Sequence, residues 1–107
     1  MSLDFSLARV QETEVFSSNI THNLGEMADK AGIYQALWRP EEIPATTARE
    51  IIPLLEKGLA DLKARPEYFE QFNAENGWGM YKHFVPFVEE VLQACREYPD
   101  AEIKISR

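Results

Sequence analysis

LDFSLAR, residues 3–9, sets Leu3, Phe5 and Leu7 on one side of a pleat and Asp4 and Ser6 on the other. A period of two marks a half-buried strand. A second extended piece follows at about 13–16, so the opening reads as one strand or a bent pair. The alternation returns at the far end, where Ile103 and Ile105 stand between Glu102 and Lys104 in the strand expected at 101–106. The chain is therefore strand at both ends. Its middle follows a helical rhythm, which makes the expected class α+β: about four helices packed on a small sheet formed by N-terminal and C-terminal strands. Two short strands are marginal alone. Either the first region supplies two strands or another subunit extends the sheet.

The middle is punctuated clearly. Leu24, Met27, Ala28 and Ala31 predict a helix over 21–31, and Gly32 is suited to the left-handed position after its last turn. Tyr34 to Trp38 forms a short extra turn before the proline-bounded connection at 39–44. Thr47 and Glu50 match a capping box opening a helix over 47–64, whose apolar stripe is Ile51, Ile52, Leu55, Leu59 and Leu62. Pro53 should bend it. Pro66 opens a short helix ending near Phe72. The loop at 73–79 precedes a long helix over 80–98, which buries Tyr81, Phe84, Val85, Val88, Leu92 and Cys95.

Composition narrows the function classes. With 107 residues, 45% of them hydrophobic, the chain fits one compact domain spanning 1–107. Eleven Lys plus Arg against eighteen Asp plus Glu leave a net charge of −7, which disfavours a nucleic-acid polymer, whose phosphates are bound through basic side chains. Cys95 is the single cysteine, so no internal disulfide forms, and on an apolar helical face it reads as a buried thiol in a reducing cytosol. No apolar run approaches the roughly 18 residues of a membrane span, and MSLDFSL has no signal-peptide character. The expected location is cytoplasmic. Six Phe, four Tyr and two Trp, with unpaired strand edges, point to a homo-oligomer.

Two places stand out as candidate sites. Ser17, Ser18, Asn19, Thr21, His22 and Asn23 crowd what reads as one helix start, although a cap uses only one or two of them. Free N–H groups and the helix dipole there suit an anion or carbonyl, such as a nucleotide phosphate or ribose. The second place is Asn76-Gly77-Trp78-Gly79. A tryptophan between two glycines is held either by packing under the loop or by a ligand stacked on it. With Trp38 and Arg39 it would wall a site for a planar ring.

Catalytic and metal signals are sparse. The two histidines, His22 and His83, show no zinc-binding spacing, and no nucleophile elbow, phosphate loop or dinucleotide fingerprint is present. Glu41-Glu42 and Glu89-Glu90 are adjacent in sequence, so on a helix they face apart. No cofactor is expected. The leading reading is a non-enzymatic protein that binds a small polar or nucleotide-like ligand through Ser18, Asn19, Thr21, His22, Asn23, Trp38, Arg39, Asn76 and Trp78. One rival is an interaction module presenting Tyr34, Trp38, Trp78 and Tyr81 to a partner protein. Another is a small enzyme with His22 as acid or base.

Several of these motifs also carry a resemblance. F-x-L-x-R-V at 5–10, N-I-T-H-N-L at 19–24, M-A-x-x-A-G-I-Y at 27–34, L-W-x-P-E-E at 37–42, N-G-W-G at 76–79 and the closing P-D-A-x-I-x-x-S-R run nearly end to end. In them the chain resembles a group of uncharacterised small proteins of bacteria and bacteriophages. Ala74 and Met80 depart from its pattern, which has a proline and a small polar residue there. The resemblance implies a bacterial or phage cytoplasmic setting. By analogy it also implies a role in binding a host protein or sequestering a small signalling molecule.

Overall fold

The computed structural model describes residues 2–9 and 13–107. Val10, the close of the F-x-L-x-R-V motif, lies outside them. Strand β1 (Ser2–Arg9) is the centre of a three-stranded antiparallel sheet, flanked by β2 (Thr13–Thr21) and β3 (Glu102–Ser106) in the order β2-β1-β3. The first region thus supplies two strands. Leu7 pairs with Phe16 and Ile103, and Phe5 with Ser18 and Ile105, so one face of the sheet carries the apolar residues. Leu3, Phe5 and Leu7 are fully buried there. The opposite face is polar, with Asn19, Asp4 and Ser106 in one row and Ser17, Ser6 and Lys104 in the next. A shift in pairing after Leu7 leaves Val15 as the extra residue of a bulge.

Five α-helices, among the described residues, pack on this sheet: α1 (Gly25–Lys30), α2 (Tyr34–Trp38), α3 (Ile52–Ala64), α4 (Pro66–Glu70) and α5 (Tyr81–Glu97). About four were expected, and the extra one is the turn at 34–38, which closes as a helix of its own. Between α1 and α2, Gly32 takes φ +77° while its N–H donates to Asp29 and that of Ile33 to Ala28. These two bonds close a Schellman motif and fold Ile33 back over α1. Gly58 of α3 lies against that same residue, since a Cβ there would stand 2.3 Å from Ile33 Cγ2.

The capping box at Thr47 and Glu50 is present, but it opens a 3-10 turn, Ala48–Ile51, rather than an α-helix. Pro53 does not bend α3. It occupies the first turn, where a missing N–H costs no intrahelical bond, and the tighter turn precedes it. The 3-10 segment also guards β3: Ala48 N–H donates to Ala101 O, Ile103 N–H donates to Thr46 O, and Arg49 pairs with Asp100.

Leu55, Leu62, Phe69, Phe84, Val88 and Cys95 close the core beside the sheet residues. Burial pushes the Cys95 thiol up to about 12, consistent with an inert buried group. No helix among the described residues is long and apolar enough to cross a membrane.

Candidate functional site

The polar run at 17–23 is mostly strand. Ser17, Ser18 and Asn19 belong to β2, which extends five residues beyond the piece expected at 13–16. Ser17 and Asn19 are exposed on the polar face of an edge strand, and Ser18 faces the core side opposite Phe5. Only Thr21 caps: its Oγ1 accepts from Asn23 N–H at 3.2 Å, opening a single 3-10 turn, His22–Leu24, ahead of α1. With six residues, α1 aligns too few peptide dipoles to make the anion site that the sequence reading sought.

The 73–79 loop folds onto this junction. Its ends are tied by Ala74 N–H to Gly79 O at 2.9 Å and by Tyr81 N–H to Asn73 Oδ1 at 2.6 Å. Within it, Trp78 N–H donates to Asn76 Oδ1 at 2.9 Å, and Gly77 takes φ +81°. Gly79 has φ +122°, and a Cβ there would stand 2.9 Å from Asn23 Cβ and 3.3 Å from Thr21 Cγ2. Only glycine permits this close approach. Asn23 then closes it, donating from Nδ2 to Trp78 O at 2.7 Å.

Between junction and loop lies an open cleft of about 570 Å³. Asn19, Thr21, Asn23, Asn76 and Trp78 line it, with Ile20, Gly77 and Gly79 of the same two motifs, and so do Ser2, Leu24 and His83, which sequence reasoning missed. Ser2 enters because it pairs with Thr21 across the sheet, a register no local pattern announces. His83 could have been found from its place one turn beyond the N-G-W-G loop. The Trp78 indole is 73% exposed, so it is not packed under the loop.

Ser18, His22, Trp38 and Arg39 do not line this cleft. Trp38 is a core residue, stacked on Tyr34 with ring centroids 5.4 Å apart, and its Nε1–H donates to His22 Nδ1 at 2.8 Å. That bond uses Nδ1 as the acceptor and leaves Nε2 as the ring's donor nitrogen. Arg39 is held by the Tyr34 hydroxyl at 3.4 Å and by Glu42 at 3.9 Å. A tryptophan and arginine at a helix end suggested a wall. Burial of the indole is the stronger force, and it draws Trp38 inward.

None of the residues lining the cleft is Lys, Arg, Asp or Glu. Asn19 spends both amide hydrogens, on Ser2 Oγ at 3.0 Å and on Asp4, which leaves its carbonyl oxygen as an acceptor. Asn23 likewise keeps Oδ1, and Asn76 keeps its amide hydrogens. The lining thus offers Asn and Thr donors and acceptors, with the His83 imidazole, around one exposed indole face. No group of three His, Cys, Asp or Glu able to hold a metal ion occurs among the described residues.

Comparison with known proteins adds no identification: no family model, curated protein or solved structure matches the chain.

Proposed function

We propose that the chain is a non-enzymatic binding protein for a small polar or nucleotide-like molecule, seated between the β2–α1 junction and the 76–79 loop. Trp78 carries this reading. Folding gains by burying an indole, yet this one is 73% exposed on the rim of a cleft whose walls are already joined by the Asn23–Trp78 bond. A pre-formed cleft with a few convergent polar groups and an exposed ring suits a ligand that stacks. His83 is the one titratable group lining it, which argues for binding rather than acid–base catalysis. The interaction-module reading loses two members of its patch, since Trp38 is buried and the Tyr81 hydroxyl is tied to Leu62 O at 2.7 Å.

The proposed setting is the bacterial or phage cytoplasm, on the strength of the sequence resemblance. A homo-oligomer joined through the outer edge of β2 is part of the proposal, because that edge has no neighbouring strand among the described residues. The surplus of aromatics does not support it, since among the described residues Tyr68 and Trp78 are the exposed aromatics.

A native mass spectrum of protein purified gently from cells reports both features, and a thermal-shift panel of nucleosides, nucleotides, sugars and other polar metabolites extends it. A retained small molecule, or stabilisation that disappears in Trp78→Ala, supports the reading. No retained molecule and no shift at millimolar concentration, with a host protein captured instead, would contradict it.

A further inference from the structure

Resting on that reading of the cleft, we propose that its ligand is an uncharged saccharide, with one C–H face of a sugar ring on Trp78 and the hydroxyls bound by Asn19, Asn23, Asn76 and Thr21.

Charge comes first. A phosphate is best met by a fixed cation or a well-formed helix N-terminus, and the cleft has neither: no Lys or Arg lines it, His83 is its one titratable side chain, and α1 is six residues long. The chain also carries a net charge of −7, so its overall field does not help an anion. The ligand is therefore neutral.

The free groups then distinguish kinds of neutral ligand. Asn19 and Asn23 present carbonyl oxygens, Asn76 presents amide hydrogens, and Thr21 keeps a hydroxyl proton while its oxygen accepts from Asn23 N–H. A sugar hydroxyl both donates and accepts, so a mixed set of amide and hydroxyl partners around the ring satisfies several hydroxyls at once.

Shape points the same way. Trp78 is the lone large aromatic lining the cleft, and the one other ring there, the small His83 imidazole, makes no stacked pair with it that would form a slot for a planar base. A nucleobase has two hydrophobic faces to cover. A pyranose has a C–H face, attracted to the negative face of an indole, and an opposite side that remains hydrated. An open, polar cleft with one exposed indole matches the second.

The test uses the 107-residue chain labelled with ¹⁵N, observing the Trp78 indole N–H and the backbone N–H groups of Gly77 and Gly79. Methyl β-glucoside, methyl β-galactoside and N-acetylglucosamine are titrated in parallel with adenosine and AMP. At least one sugar should shift these signals, saturating in roughly the millimolar range, with no dependence on salt. Trp78→Ala should weaken that sugar by about tenfold or more, and its exposure makes the variant safe for folding. Tighter binding of adenosine or AMP than of every sugar would overturn the saccharide assignment and leave the ligand cleft standing. If no probe moved these signals, both would fall. Sugar binding undiminished in Trp78→Ala would overturn the stacking geometry.

Discussion

Asn23 Nδ2 donates to the backbone carbonyl of Trp78 at 2.7 Å, joining two motifs that lie 55 positions apart. The bond holds the loop in place and leaves the indole free. Asn23→Ala should therefore lower stability modestly, by about 1 kcal/mol, while removing most ligand affinity. Urea unfolding and hydrogen exchange at Gly77 and Gly79 would check this. Unchanged exchange in the loop would show that the bond does not hold it.

Gly79 is the steric counterpart of that bond. At φ +122° any side chain is strained, and a Cβ would press on Asn23 at 2.9 Å. Gly79→Ala should cost about 1 to 3 kcal/mol and displace the loop. Gly77→Ala is also strained, at φ +81°, but a Cβ there meets nothing within 4 Å. A smaller loss at Gly77 than at Gly79 is the expected order, read from thermal unfolding of the two variants.

His22 is structural through Trp38. Removing the imidazole leaves the Trp38 Nε1–H, bonded to it at 2.8 Å, without its acceptor in a largely buried place. His22→Ala should cost about 1 to 3 kcal/mol, and a loss below a few tenths would refute the role. Ligand affinity should survive in the folded variant.

Acid should unlatch the 3-10 turn that precedes α3. The Thr47 hydroxyl, and after it the backbone N–H groups of Thr47 and Thr46, hold Glu50 below its ordinary value of 4.5. Because the folded value is the lower one, the stabilisation is complete above about 4.5 and disappears as pH falls through the folded value. Glu50→Gln should thus be less stable than the parent at neutral pH, with the gap closing in acid. Urea midpoints across that pH range would show whether it does.

Much of the fold was legible because it rests on local rules. The β1 alternation, the stripe through Leu55 and Leu62, the Thr47 capping box and the Gly32 turn each need only a few neighbouring residues. β2 was read short because Ser17, Ser18 and Asn19 are poor strand formers and good caps. Their strand identity comes from pairing with β1, which local propensity does not contain. The site was half legible for the same reason. Surplus polar groups and a tryptophan between glycines marked both walls of the cleft, whereas the burial of Trp38 on Tyr34 and His22 and the arrival of Ser2 depend on tertiary packing.

Accessibility of Trp78 tests the central claim most directly, because Trp38 is 2% exposed and Trp78 is 73% exposed. Acrylamide quenching of the tryptophan emission should resolve one protected and one accessible ring in the free protein. Adding the small-molecule fraction of a bacterial lysate, or a saturating ligand found by the panels above, should shield the accessible ring, and Asn23→Ala should lose that shielding. Quenching of Trp78 that stays unchanged in the presence of both would contradict the account and leave the cleft without a ligand.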